Sequence, residues 1–196
     1  MVQLWAARID AAPTQEQRQR MRENLPPQRR ARLERLAGTK QETQALAAYW
    51  ILRRALQEQY SSMDALPPME RRGEGKPFFP GLPSVHFSIS HTDGGVLVGL
   101  SGEEIGVDIE RARRVHPRLL ARLGCSNQES FLESWVRREA RAKRLAAAVP
   151  LGAETPLAPG ERLWQAAVFP GYRACASYTE PGRLCITCLR LTDTFN

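Results

Sequence analysis

Residues 85–110 read V-H-F-S-I-S-H-T-D-G-G-V-L-V-G-L-S-G-E-E-I-G-V-D-I-E, and their alternation decides the fold class. Strand side chains point alternately to opposite faces. Val85 to Ser90, Val96 to Leu100 and Ile105 to Glu110 therefore read as three short strands, parted by turn material at Asp93-Gly94-Gly95 and Ser101-Gly102. Phe87 and Ile89 fall on a core-facing side, with Ser88 and Ser90 opposite. Val107 and Ile109 likewise oppose Asp108 and Glu110. Two carboxylates at i and i+2 on one strand face repel each other by about a few tenths of a kcal/mol or more. A cation or basic partners must relieve that repulsion. Arg111, Arg113 and Arg114 follow at once, so local salt bridges at an exposed strand end are one reading and a bound metal the other.

Working outward, Val2 to Ile9 reads as a strand, followed by an arginine-rich helical region from Arg18 to Arg35. Thr39 or Thr43 opens the next helix, which runs to about Tyr60, with Leu46, Trp50, Leu52, Leu56 and Tyr60 facing a core. Six prolines and glycines between Gly73 and Pro83 predict a loop without regular structure across Pro67 to Pro83. Such long loops are usually functional or linkers. A second helix is expected from about Ser126 to Ala148, capped by Ser126 with Glu129 three residues on. After a second Pro/Gly-rich loop, Pro150 to Gly160, strands are expected at Leu163 to Phe169, Tyr172 to Tyr178 and Leu184 to Leu191. The pattern is α+β: two halves, 1–102 and 103–196, each a long helix packed on a small, mostly antiparallel sheet.

The chain of 196 residues carries 28 basic and 21 acidic residues, net +7, and all the basic residues except Lys40, Lys76 and Lys143 are arginine. A basic protein seeks an acidic partner. A nucleic-acid-binding module would interleave aromatics with the arginines. Between Arg18 and Arg35 there are none. No apolar stretch approaches the ~18 residues of a membrane span, and the first residues do not read as a signal peptide. A cytoplasmic protein without a membrane partner is expected. Cys185 and Cys188 form an isolated C-x-x-C on a strand, where positions three apart face opposite sides. All four cysteines are expected to be reduced and buried.

Two further clusters carry polar chemistry. On a helix, Trp135, Glu139 and Lys143 of W-V-R-R-E-A-R-A-K share a face. Ser88, Ser90 and His91 lie just past Gly75-Lys76-Pro77, where small hydroxyls leave room for a ligand and His91 and Lys76 offer donors that suit phosphate. No order or spacing supports a Ser-His-Asp hydrolase triad.

Together, G-K-P, F-S-I-S-H, G-V-D-I-E and W-x-x-x-E-A-x-x-K resemble the motif series of the 4′-phosphopantetheinyl transferases. The chain is most similar to the surfactin-synthetase-type branch, in which the G-[IV]-D-[IL]-E motif sits mid-chain behind a full N-terminal half. The resemblance is clear from Gly75 to Lys143, while the flanks match in layout. It implies two α+β halves related by a pseudo-twofold, acting as a monomer with coenzyme A in the cleft between them. It further implies transfer of the 4′-phosphopantetheine arm of coenzyme A to a serine of an apo acyl or peptidyl carrier protein, with release of adenosine 3′,5′-bisphosphate. On this resemblance Asp108, Glu110 and Glu139 would ligate magnesium, with Glu139 as general base for the carrier serine and Lys143 on the pyrophosphate. Lys76, Pro77, Ser90 and His91 would contact the adenylate end, and Lys40 the 3′-phosphate.

The chain departs from the family's pattern at Arg138, usually lysine in W-x-x-K-E-A, and at Gln44, where many relatives are basic. The span from Glu110 to Trp135 encloses only 24 residues, in a segment that commonly helps hold the carrier. A degenerate coenzyme A-binding homologue without turnover is the alternative, supported by Arg138 alone, since all three carboxylates remain.

Overall fold

A computed structural model describes residues 1–60, 65–148 and 156–191. The chain runs β1 (Val2–Ile9), α1 (Gln15–Glu23), α2 (Pro27–Glu34) and α3 (Lys40–Gln59), then β2 (Glu70–Arg72), β3 (Lys76–Phe78), β4 (His86–Thr92), β5 (Gly95–Ser101) and β6 (Ile105–Arg111). It continues through α4 (Pro117–Arg122) and α5 (Gln128–Leu145) to β7 (Arg162–Phe169), β8 (Tyr172–Tyr178) and β9 (Leu184–Leu191). The fold is α+β. No helix among the described residues is long and apolar enough to cross a membrane.

Two main sheets form, in orders β4-β5-β1-β9 and β6-β8-β7. The boundary expected at 102/103 falls between β5 and β6, but β9 returns to lie parallel to β1 in the first sheet. Alternation makes β1 two-sided. Trp5 and Ala7 face a core with Leu46, Ile51 and Leu52 of α3, whereas Val2, Leu4 and Ala6 face a second core with Val107 and Ile109 of β6 and Ala174 and Ala176 of β8. On the far side of the second sheet, Val136 and Ala140 of α5 pack on Cys175. Gly106 permits that approach, since a Cβ there would meet the Ala140 carbonyl oxygen at 2.0 Å.

Several expectations need correction. The arginine-rich region is two helices; α1 opens with a capping box at Thr14 and Gln17, and α2 has Pro27 at its first turn. The loop expected across Pro67 to Pro83 contains a β2–β3 hairpin. Gly73 and Gly75 supply its turn with φ of 52° and 90°, a left-handed backbone that glycine adopts freely. Asn127, with Ser130, caps α5 rather than Ser126 with Glu129. The short helix α4 has no counterpart among the expected elements. Of the cysteines only Cys175 is buried; Cys125, between α4 and α5, is half-buried, and Cys185 is half-buried and Cys188 exposed because both lie on the edge strand β9. Part of the second expected loop, residues 149–155, lies outside the described residues.

Candidate active site

The site lies where β4 and β6, edge strands of different sheets, run side by side and α5 packs on β6. Alternation sends Ser88, Ser90 and Thr92 of β4 to the side away from Phe87, and these hydroxyls meet β6. Ser88 Oγ accepts from the Val107 N–H at 3.0 Å, Ser90 Oγ donates to Asp108 Oδ1 at 2.7 Å, and Thr92 Oγ1 donates to Glu110 Oε2 at 3.0 Å. From α5, Lys143 Nζ donates to the same Asp108 oxygen at 2.7 Å and to Ser90 Oγ at 2.8 Å. Asp108 is only 4 % exposed, and its Oδ2 is buried with no hydrogen-bond partner.

Two carboxylates here, Glu110 and Glu139, feel the charge of Asp108. Burial, then the charge of Asp108, raises the Glu110 pKa above the usual carboxylate range, against the opposing Thr92 hydrogen bond. Glu139 is raised by the same two causes, with Lys143 and Arg138 acting in the opposite direction. His91, at the end of β4, has its imidazole pKa lowered first by loss of solvation and then by Lys143. Among the described residues no three His, Cys, Asp or Glu side chains converge as a ready metal centre. The donor set nonetheless suits a hard divalent cation, which favours carboxylate oxygens together with water and phosphate. The orphaned Asp108 Oδ2 is the atom that such an ion would satisfy.

Beside these groups, a cavity of about 310 Å³ is lined by Lys76 and Pro77 of the hairpin, Ser88 of β4, and Glu139 and Lys143 of α5. The hairpin is docked there: the Glu74 N–H donates to Ala146 O just past α5. The Lys76 ammonium is buried and donates to Glu104 Oε2 (2.5 Å), Ile105 O (2.9 Å) and Arg144 O (3.1 Å). An ammonium has three donors, so in this conformation Lys76 braces the cavity wall. Lys40 stands at the other end of β4, exposed, 3.6 Å from Asp93. A second cavity, about 350 Å³, lies on the far side of Glu110 and is lined by Phe131, Leu132, Trp135, Tyr172 and Arg113. Trp135 thus borders a different cavity from Glu139 and Lys143, although the three share a helix.

A buried ionic cluster fixes α5. Arg141 donates to both Glu161 oxygens, at 2.8 and 3.0 Å, and Arg144 Nε donates to Ser177 Oγ, which donates in turn to Glu161. Sequence reading missed this cluster, Thr92, and the grouping of Arg29, Arg32 and Arg71. The Arg71 pKa is lowered by burial, then by the charges of Arg29 and Arg32. Thr92 had a local signal, since it continues the Ser88, Ser90 alternation. The arginine grouping had none, because α2 and the hairpin are distant in sequence.

No model of a known protein family matches the chain. It is 26% identical over 133 residues to the 4′-phosphopantetheinyl transferase ffp of Bacillus subtilis, covering 68% of this chain and 59% of that protein. It is 24% identical over 131 residues to the 4′-phosphopantetheinyl transferase Sfp of Bacillus subtilis strain 168, covering 67% and 58% respectively. A further 4′-phosphopantetheinyl transferase of Bacillus subtilis is 41% identical over 39 residues, 20% of this chain and 17% of the relative. The matched part thus spans less than two thirds of the two longer-matched relatives.

Proposed function

The chain belongs to the 4′-phosphopantetheinyl transferase superfamily, and on that premise we propose that it moves the phosphopantetheine arm of coenzyme A to a serine of an apo acyl or peptidyl carrier protein. The observation that carries the reading is Asp108: a buried carboxylate between Ser90 and Lys143, with one oxygen unpartnered and two further carboxylates within its field.

Asp108, Glu110 and Glu139 would hold a magnesium ion, which when bound supplies neutralisation of the diphosphate and of the charge that develops on the leaving group. Glu139 takes the proton of the carrier serine as general base. The serine oxygen then bonds to the phosphorus that bears the pantetheine. The bond from that phosphorus to the bridging oxygen breaks, and the electron pair leaves on adenosine 3′,5′-bisphosphate. Lys143, one third exposed at its side chain, can turn from Asp108 toward the diphosphate and stabilise its charge. His91, Ser90 and the cavity beside Lys76 and Pro77 would receive the adenylate end. Lys40 would offer positive charge to the remaining phosphate. The two helix-on-sheet units are read as pseudo-twofold halves of a monomer, with the net charge of +7 favouring acidic partners.

The test is to incubate the protein with magnesium, coenzyme A and a panel of apo fatty-acid, polyketide and peptide carriers, and to weigh the carriers. The expected result is a gain of the phosphopantetheine mass, lost in Asp108→Ala and Glu139→Ala. Full activity in both variants would sink the site assignment. The second reading, coenzyme A binding without turnover, is favoured by the Lys143–Asp108 ion pair, which occupies one oxygen of the central carboxylate. Binding of coenzyme A with no mass gain on any carrier would select it.

A further inference from the structure

Edge strands present unpaired N–H groups, and β4 and β6 are adjacent edges of different sheets. They are bridged by hydroxyls at alternate positions of β4. Ser88 receives the Val107 N–H, and Thr92 Oγ1 receives the Arg111 N–H at 3.4 Å. A hydroxyl has a single proton. With the Arg111 N–H as incoming donor, the Thr92 proton goes to Glu110 Oε2 at 3.0 Å. Among the described residues Thr92 is the side chain that hydrogen-bonds Glu110. Asp108 is held by Ser90 two residues earlier on the same strand face, so β4 grips both carboxylates of β6 in one register.

We propose that Thr92 is a positioning residue whose hydroxyl fixes the Glu110 carboxylate and leaves its other oxygen free for the divalent cation. The inference rests on the phosphopantetheinyl-transfer reading. Outer groups that hydrogen-bond a ligating carboxylate set its rotamer and basicity, and their loss typically weakens metal affinity by about 10–100-fold. Thr92→Val keeps the β-branched shape that suits a strand and removes only the hydroxyl. The Arg111 N–H it would leave belongs to an exposed residue, so water can take it.

Manganese ion, titrated in the presence of coenzyme A without carrier and followed as free ion by electron paramagnetic resonance, reads the effect without turnover. Thr92→Val should bind manganese roughly tenfold or more weakly, and Thr92→Ser should be close to wild type. Coenzyme A affinity without metal should be unchanged in both. Wild-type manganese affinity in Thr92→Val would overturn the role of Thr92, as would equal weakness in the serine variant or an equal loss of metal-free coenzyme A binding. Failure of the wild-type protein itself to take up manganese would overturn the cation site, and with it the reading on which this inference rests.

Discussion

At the scale of single residues, the central carboxylate of the site already has a cationic partner inside the protein. Lys143 and Asp108 form a close ion pair in a half-buried setting, and a buried charge without a partner is strongly destabilising. On the proposed reading, an incoming divalent cation would compete with that ammonium for Asp108 and a diphosphate would offer the ammonium a new partner, so that each would favour the other's entry. Glu161 has a different task. Burial pushes its pKa up, but hydrogen bonds from Arg141, the Ala158 N–H and Ser177 outweigh burial and lower it to about 2 from 4.5. The native state therefore binds fewer protons than the unfolded state between these values. The stability from Glu161 is fully present above about pH 4.5 and is lost as pH falls toward 2. A shift of this size corresponds to about 3 kcal/mol. Urea midpoints measured from pH 7 downward should fall through this window in the wild-type protein. Glu161→Gln should lower the midpoint at pH 7, because Arg141 and Arg144 keep their charges without a counter-ion, and should flatten the acid slope. An unchanged slope in the variant would exclude Glu161 as its source.

Helix α5 and strand β6 are the elements that bring the site together, and their separation is set by Gly106. A Cβ at that position would meet Ala140 O at 2.0 Å and Arg144 N at 2.3 Å, both backbone atoms that cannot rotate away. Gly106→Ala should therefore push α5 off the sheet and cost about 3 kcal/mol or more, measured by urea unfolding. It should also displace Glu139 and Lys143 from Asp108 and, on the proposed reading, abolish transfer. Stability equal to wild type would mean that the contact is not rigid. At this scale the sequence is unevenly legible. Strands β4 and β6 follow from alternation alone, and the shared face of Asp108 and Glu110 follows from their i, i+2 spacing. The β2–β3 hairpin hides behind Pro77, which an isolated two-stranded ribbon tolerates because an edge proline need not donate to a ladder. The capping of α5 shifts by one residue because both Ser126 and Asn127 are good caps, and local chemistry does not choose between them. The role of Lys76 is illegible from spacing. Its acceptors at Glu104, Ile105 and Arg144 lie 28, 29 and 68 residues away in sequence and come together only through the packing of the hairpin on α5.

For the molecule as a whole, the question is whether its two sheets are separate folding units or one. Leu4, Ala6 and Leu97 of the first sheet share a core with Ile105, Val107 and Ile109 of the second, and β9 carries the chain back to pair with β1. Polar links cross the same seam at Ser90–Asp108 and Ser88–Val107. Losing either sheet would expose the apolar face of the other, at about 25 cal/mol per Å², and would strand buried polar groups that lack an alternative partner. One cooperative transition is the expected outcome. The four tryptophans report on it independently, because Trp5 and Trp50 sit in the core beneath α3 while Trp135 and Trp164 lie with α5 and the second sheet. In a Trp5→Phe/Trp50→Phe protein the fluorescence comes from the second pair, and in a Trp135→Phe/Trp164→Phe protein from the first. Within each variant, the urea midpoint from fluorescence should coincide with that from far-ultraviolet circular dichroism. Midpoints that separate, with one tryptophan pair losing its native signal while substantial secondary structure remains, would show that the shared core does not couple the two sheets. The site would then depend on the docking of two separately stable units, and the β4 hydroxyls of Ser90 and Thr92 could part from Asp108 and Glu110 without unfolding.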